Sequence, residues 1–228
     1  EINLVVELIN EAEDALEIVK AALLAGKSVV SGNKKMLAMN LETLVALQQQ
    51  SGSALLYDAS ACGSIPVIRN LEEYYDNDLL LSITGILNGS SNYILSQVFN
   101  HGISYRQALS QAQEAGFAEA DPSLDVNGSD ALYKLVILSL HGFGTLIKPA
   151  DVFHTGIEKL SQADIRFARE RGYRIKLLAQ AQKYNGNQLA LFVMPKLVEP
   201  GEYIYNVENE YNGVVIEGAY YEKQFMFG

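Results

Sequence analysis

The chain has 228 residues, of which 49% are hydrophobic, and a formal net charge of −10. That length is enough for a hydrophobic core in one or two domains. The acidic charge and the lack of any basic run argue against nucleic-acid binding, because phosphate contacts need clustered Lys and Arg. The single cysteine, Cys62, rules out an intrachain disulfide and fits a reducing, cytoplasmic setting. No apolar run is long enough to span a bilayer and no signal peptide is visible, so we expect no membrane association.

The first part of the chain alternates strands and helices. Short apolar runs predict strands, and apolar residues at helical spacing predict helices between them. The predicted elements are a strand at 2–8, a helix at 11–25, a strand at 28–31, a helix at 35–50 and a strand at 54–59. Such a series predicts a parallel α/β sheet, whose ligands bind at the carboxyl ends of the strands. Those ends are residues 9–10, 31–34 and 58–64.

From about Pro66 the pattern changes to α+β. Strands are predicted at 79–87, 174–183, 188–195, 202–207, 213–220 and 224–228, and helices at 90–99, 104–115, 130–141 and 161–170. Ser104 and Gln107 predict a capping box, Ser129 is predicted to cap the helix at 130–141, and residues 117–130 are predicted to form a loop. We expect the last strands to serve self-association.

Lys134 is the most informative residue, because it is the only charge inside a helix that is apolar on nearly every face. A buried ammonium needs a partner, and Asp130 lies one turn back on the same face. An exposed surface pair remains an alternative to a functional pair.

The loop before this helix is acidic. It contributes Glu119, Asp121 and Asp125 close to Asp130. The cluster is either a solvated loop, a cation site, or a pocket for a small cationic or zwitterionic ligand.

Two strand-to-helix turns are further candidates. Lys34 follows the second strand at the ligand-facing edge of the sheet, although a solvated lysine at a helix start is the commoner situation. Gly89 and Ser90 open a helix whose free N–H groups could face an anion, although an ordinary cap is as common. The three histidines lack metal-ligand spacing, and we interpret them as incidental.

A longer segment carries a family resemblance. Residues 112–134 read AQEAGFAEADPSLDVNGSDALYK and resemble the homoserine dehydrogenase signature along its whole length. The segments GILNGSSNYIL, SVVSGNKKMLA and ADIRFARERGYRIKLLAQA also resemble that family. The positions that fit the signature are Ala112, Gly116, Asp121, Pro122, Asp125, Gly128, Asp130 and Lys134.

The resemblance implies an activity. The family reduces aspartate semialdehyde to homoserine with NADPH or NADH, on the route to threonine and methionine. By resemblance, Lys134 supplies the proton as hydride reaches the aldehyde carbon, and Asp130 orients Lys134 and the substrate hydroxyl. The alkoxide that hydride addition creates is a charge that a nearby ammonium neutralises.

The resemblance also implies substrate and cofactor contacts. Glu119 would bind the substrate ammonium with Asp125 nearby, and Gly89 and Ser90 belong to the substrate loop. Lys34 would lie between the nicotinamide end of the cofactor and the substrate. Phe117 replaces a tyrosine that is common in the family, which removes one hydroxyl contact.

The family also holds a monovalent cation, sodium, after the third strand. Carried over, the ligands are the Asp58 side chain and the carbonyl groups of Ala61, Gly63 and Ile65. This chain departs from the family pattern, because the family usually has Glu at position 58 and Gly where Ser64 stands.

The domain organisation follows from the same resemblance. Residues 1–57 would be the C-terminal half of a Rossmann-type nucleotide-binding domain, and residues 58–228 a substrate-binding and catalytic domain with dimerisation strands that form a homodimer. The phosphate-binding G-x-G-x-x-G turn is expected before Glu1, and a glycine-rich segment after Gly228. We therefore expect a fragment of a longer protein that binds dinucleotide poorly by itself and is inactive alone.

Two other functions remain open from the sequence. One is a lyase or racemase that uses Lys134 as a base. The other is a non-catalytic amino-acid sensor or dimerisation module without a cofactor site.

Overall fold

The computed structural model describes residues 2–75, 79–185, 188–220 and 222–228. These residues form a three-stranded parallel sheet followed by a six-stranded mixed sheet, with helices packed on both. The predicted α/β plus α+β organisation is therefore confirmed. No helix in the described part of the chain has both the length and the apolar character needed to cross a bilayer.

The first sheet forms as the alternating pattern predicts. Its strands lie in the order β1-β2-β3, all parallel, and two helices connect them. The third strand is shorter than predicted, because a 3-10 turn at Asp58–Ser60 interrupts the extended chain. The elements are β1 (Leu4–Glu7), α1 (Ala12–Leu24), β2 (Ser28–Ser31), α2 (Lys34–Ser51) and β3 (Leu55–Leu56).

The second sheet has the order β5-β7-β6-β4-β8-β9, and all of its pairings are antiparallel except the parallel pair β5 and β7. Its strands are β4 (Leu80–Ile86), β5 (Phe153–His154), β6 (Arg174–Tyr184), β7 (Gln188–Val198), β8 (Gly213–Gly218) and β9 (Gln224–Phe227). The helices of this part are α3 (Val67–Tyr74), α4 (Gly89–His101), α5 (Tyr105–Glu114), α6 (Ser123–Val126), α7 (Ser129–Phe143) and α8 (Gln162–Glu170).

The segment 202–207 is not a strand, so that prediction is wrong. Residues Tyr203–Asn206 form a 3-10 helix instead. Its alternating Tyr and Ile residues imitate a strand, but the Tyr205 N–H donates to the Glu202 carbonyl group at 3.0 Å, and the Tyr205 hydroxyl donates to the Gly172 carbonyl group. Tertiary contacts therefore outweigh the local strand preference.

The predicted loop at 117–130 contains the short helix α6 (Ser123–Val126). The Asp121 carboxylate accepts hydrogen bonds from the backbone and hydroxyl of Ser123, which starts this turn. Ser129 is not the cap of α7: Gly128, at φ +89°, takes that position, and the Ser129 N–H donates to Asn127 Oδ1 at 2.8 Å. Helix α3 is present although the sequence analysis made no prediction for it.

Helix α7 is the centre of the core. Four consecutive residues, 135–138, are fully buried, which confirms the prediction of a helix enclosed on several sides. It packs against α2 and α3 and against the face of β4, β6 and β7. One apolar core therefore runs from the first sheet to the second.

The other face of the second sheet is polar near its middle. Side chains of β4, β6, β7 and β8 form a shallow depression of about 630 Å³ there, and it includes Ser82, Thr84, Gln180, Gln182 and Lys196. A small apolar cluster around Ile86, Leu178 and Ile204 adjoins it.

Lys176, on β6, is buried within the fold at 2% exposure. Its ammonium group donates to Asn92 Oδ1 at 3.0 Å and to the Val207 carbonyl oxygen. Burial first, and then the nearby positive charge of Arg174, lower the pKa of Lys176 from 10.5 to about 7.

Because of this low pKa, the stability of the protein is expected to rise with pH above neutrality. Below about pH 7 the buried amine of Lys176 is charged in both states, and its burial costs stability. Between about pH 7 and 10.5 the unfolded chain still binds this proton and the folded chain does not, so the free energy of unfolding increases with pH.

Denaturant unfolding of Lys176→Met and the unaltered protein at pH 6, 7, 8 and 9 measures this effect. The difference in unfolding free energy between the two is expected to change by up to about 1.4 kcal/mol per pH unit above pH 7. Parallel pH profiles for the two proteins would contradict the assignment.

Candidate functional site

The first turns of α7 carry the expected charge pair. The ammonium group of Lys134 lies 2.8 Å from Asp130 Oδ2 and donates to the Leu87 carbonyl oxygen at 2.7 Å. The side chain of Lys134 is only 15% exposed and that of Asp130 only 7%. The alternative of an exposed surface pair is therefore wrong.

Lys34, the first residue of α2, contacts the same carboxylate from the part of the chain that forms the first sheet. Its ammonium group lies 3.2 Å from Asp130 Oδ1, so the two oxygens of Asp130 face two different lysines. Asn33 places Lys34 by capping α2: its Oδ1 accepts the Met36 N–H at 3.0 Å, and its Nδ2 donates to the Ile9 carbonyl oxygen at 2.8 Å. The carboxyl ends of β1 and β2 are thereby joined beneath Lys34.

A buried glutamate stabilises this junction, and the sequence analysis missed it. Glu7 is 2% exposed at the end of β1. One of its oxygens accepts the Ser31 hydroxyl at 2.5 Å, and the other accepts the Ile9 N–H at 2.6 Å. The sequence does contain a signal for Glu7, because it is a carboxylate within an otherwise apolar run, VVELI.

Asn88 is the second residue that the sequence analysis missed. Its Nδ2 donates to Asp125 Oδ1 at 2.7 Å and to Asp130 Oδ2 at 2.9 Å. Its Oδ1 accepts the Ser91 N–H at 2.8 Å and caps α4. Asn88 therefore links Asp125 to Asp130, which both Lys34 and Lys134 contact.

The two carboxylates of this cluster have opposite pKa shifts. Burial raises the pKa of Asp125, with a further contribution from the negative charge of Asp130 that the bond from Asn88 only partly offsets. Burial also opposes the ionisation of Asp130, but Lys134 first, then Lys34 and Asn88, hold the pKa of Asp130 below its usual value. Asp130 is thus a stable anion, and Asp125 is the more easily protonated acid.

Other predicted residues lie at the edge of the cluster. Glu119 is exposed, and its carbonyl oxygen accepts a bond from Gln113 at 3.1 Å. The Ser90 hydroxyl donates to the Phe117 carbonyl oxygen at 2.5 Å, which attaches the acidic loop to α4. Gly89 must be glycine, because a Cβ atom there would clash with the Glu210 carbonyl oxygen.

The loop after β3 is sharply bent at Cys62 and Gly63, which have φ values of +57° and +55°. Asp58 is exposed there, while Ala61 and Ile65 are buried. Burial raises the pKa of the Cys62 thiol to about 12, while Lys134 lowers it and Asp130 raises it. Among the described residues, no three His, Cys, Asp or Glu side chains are grouped to hold a metal ion.

One histidine has a defined structural contact outside this cluster. His141 Nδ1 lies 2.7 Å from Glu72 Oε1, and its Nε2 lies 3.0 Å from the Tyr57 hydroxyl. The group joins α7, α3 and the end of β3. Burial, followed by the negative charge of Glu72, raises the pKa of Tyr57 to about 12.

Known proteins carry the same sequence pattern. A sequence model described as homoserine dehydrogenase matches residues 66–228. The chain belongs to the homoserine dehydrogenase family. Relatives of that name include those of Bacillus subtilis, 34% identical over 100% of this chain and 52% of the relative, and of Synechocystis, 38% identical over 96% and 51%.

Solved homoserine dehydrogenases share the fold. The crystal structure of the enzyme from Thiobacillus denitrificans matches with a TM-score of 0.96 and 38% identity, covering 100% of this chain and 53% of that one. A hyperthermophilic archaeal homoserine dehydrogenase in complex with NADPH matches with a TM-score of 0.84 and 26% identity, covering 99% and 65%. The chain spans about half the length of the curated relatives it matches.

This membership confirms the resemblance predicted from residues 112–134. The family is one of oxidoreductases that use NAD(P), and the match favours neither the lyase or racemase nor the non-catalytic module.

Proposed function

We propose that the chain forms the substrate-binding part of an NAD(P)-dependent homoserine dehydrogenase, which interconverts L-aspartate 4-semialdehyde and L-homoserine. One observation carries the proposal: a shielded lysine with an unused hydrogen, held beside two carboxylates and a second lysine. An ammonium group has three hydrogens. In the described part of the chain, Lys134 directs two of them to Asp130 and Leu87.

The remaining hydrogen of Lys134 suits an oxygen that becomes negative. When hydride reaches the aldehyde carbon, the carbonyl π electrons move to oxygen, and Lys134 donates a proton to that alkoxide as it forms. Lys134 is left as a neutral amine, still bonded to Asp130. In the reverse direction the neutral amine accepts the hydroxyl proton of homoserine while hydride leaves the carbon.

The neighbouring charges suit an amino-acid substrate, which carries an ammonium and a carboxylate group. Asp125, with Glu119 on the adjoining loop, would bind the ammonium group. The N–H groups at Gly89 and Ser90, at the start of α4, would face the carboxylate. The site thus supplies both signs of charge to a zwitterion.

Lys34 is the residue of this chain that fits a cofactor contact. It lies at the carboxyl end of β2, is 41% exposed and is held by Asp130. The nicotinamide ring, when bound, supplies or accepts the hydride. We propose that Lys34 lies between that ring and the substrate, that residues 1–57 belong to the nucleotide-binding domain, and that residues 58–228 belong to the catalytic domain.

Replacing Lys134 with methionine in the full-length protein is expected to reduce kcat for homoserine-dependent reduction of NAD or NADP by roughly 100-fold or more, because the proton donor is lost. The KM for the cofactor is expected to change little. Lys20→Met, which removes an exposed ion pair on α1, is the matched control. Loss of cofactor binding with normal turnover would refute the role of Lys134, and an unaltered protein without this activity would refute the function.

We also propose a sodium site formed by the Asp58 carboxylate and the carbonyl groups of Ala61, Gly63 and Ile65. The donors are all oxygens, which suit a hard cation, and Asp58 has no ion pair within the described residues. Replacing sodium with a bulky organic cation is expected to lower the melting temperature of the full-length protein, and Asp58→Asn is expected to abolish that response. A response unchanged in Asp58→Asn would reject the site.

We further propose a homodimer formed through the open face of the second sheet. That face presents half-buried side chains in a pleated surface, as at Thr84 and Gln180, and the 3-10 helix at Tyr203–Asn206 packs at one side of it. Thr84→Arg in the full-length protein is expected to convert a dimer to a monomer in sedimentation experiments, because it places a charge in the contact. Thr43→Arg, at an exposed position of helix α2, is the control, and a dimer that survives Thr84→Arg counts against this face.

A further inference from the structure

The side-chain nitrogen of Asn88 bridges two carboxylates. Asn88 is buried, at 5% exposure, in the turn between β4 and α4. Its Nδ2 carries two hydrogens, and the structure provides one acceptor for each: Asp125 Oδ1 at 2.7 Å and Asp130 Oδ2 at 2.9 Å. No hydrogen of this amide is left over.

The orientation of the amide is fixed by its partners. If Oδ1 and Nδ2 were exchanged, the oxygen would face two carboxylates and the nitrogen would face the Ser91 N–H. Both contacts would be repulsive, so the hydrogen-bonding network permits one orientation. The Ser91 hydroxyl also donates to the Asn88 carbonyl group at 3.1 Å, which fixes the backbone of the turn.

The same turn holds the proposed proton donor. Leu87 accepts from Lys134 through its carbonyl oxygen, while the next residue, Asn88, donates to Asp130. The dipeptide therefore contacts both partners of the Lys134–Asp130 pair, and its Asn88 side chain also donates to Asp125.

A neutral donor is what this position needs. Two carboxylates bonded to one nitrogen repel each other at short range, and a bond to each favours the charged form of both. A lysine or arginine at position 88 would compete with Lys134 for Asp130, whereas an amide adds no charge. The other groups that act on these acids are Lys134 on α7, Lys34 on α2 and Ser90 on α4. Asp130 in turn raises the pKa of the Cys62 thiol on the loop after β3.

We propose that Asn88 is a positioning residue, whose amide sets the separation and the ionisation of Asp125 and Asp130 beside Lys134. This inference rests on the proposed function for its kinetic consequence. Asn88 touches no reacting atom in this scheme. It acts on the reaction through the two acids.

The test is Asn88→Ser in the full-length protein. Serine can cap α4 in place of asparagine but has no amide to share between two carboxylates. The acidic limb of the pH profile of kcat/KM for homoserine is expected to move up by about one pH unit, because each acid loses a bond to its charged form. The KM for homoserine is expected to rise about tenfold, by the same reasoning, with the cofactor KM unchanged.

Two further variants separate this role from a general disturbance of helix α4. Asn88→Asp keeps the cap but adds a third carboxylate, so we expect a larger loss of kcat/KM for homoserine than in Asn88→Ser. Asn100→Ser removes an exposed Asn–Glu208 hydrogen bond from the same helix and is expected to leave the pH profile unchanged. If Asn88→Ser does not fold, Asn88→Thr retains a capping hydroxyl and provides the same test.

A second readout does not depend on activity. Carbon-13 NMR titration of the Asp125 and Asp130 carboxyl groups is expected to show both pKa values raised in Asn88→Ser. Unchanged titrations, or an unchanged pH profile and homoserine KM in an active enzyme, would overturn the role of Asn88 and leave the proposed function intact. An inactive unaltered protein would refute the function, while the titration would still decide the role of Asn88.

Discussion

The salt bridge between Asp130 and Lys134 is the interaction on which the site depends. Both groups are shielded in a helix whose next turn, residues 135–138, is fully buried, so neither can be left unpaired at low cost. The requirement for compensation brings the other polar groups to this point: Lys34 from the first sheet, Asn88 from the second and the Leu87 carbonyl oxygen. The apolar residues around α7 shield these charges from water, which strengthens the electrostatic interactions between them and keeps the side chains in place.

Much of this arrangement could be predicted from residue patterns. The alternation of elements up to residue 59 predicted the parallel sheet and the position of Lys34 at its ligand-facing edge. The isolated charge at Lys134, one turn after Asp130, predicted the buried pair, because a charge in an apolar helix must have a partner nearby in sequence or in space. The capping box predicted at Ser104 is a local signal, and helix α5 begins there.

The features that were missed depend on contacts between distant residues. Asn88 looks like an ordinary helix cap in the sequence, since nothing local indicates that Asp125 and Asp130 lie within reach of its amide. Glu7 and Ser31 are 24 positions apart, and only the register of β1 against β2 brings them together. The 202–207 segment shows the converse, because its alternation is a strand pattern that tertiary contacts with Gly172 override.

The two oxygens of Asp130 also have a consequence for communication between the two sheets. One oxygen faces Lys134 and the other faces Lys34, which belongs to the helix after β2. In the proposed reaction Lys134 loses its proton, and Lys34 is then the lysine that balances the negative charge of Asp130, without competition from a second ammonium group. If the proposed roles hold, proton transfer at Lys134 changes the force on Lys34 and α2, so a single shared anion links the proposed substrate contact to the proposed cofactor contact.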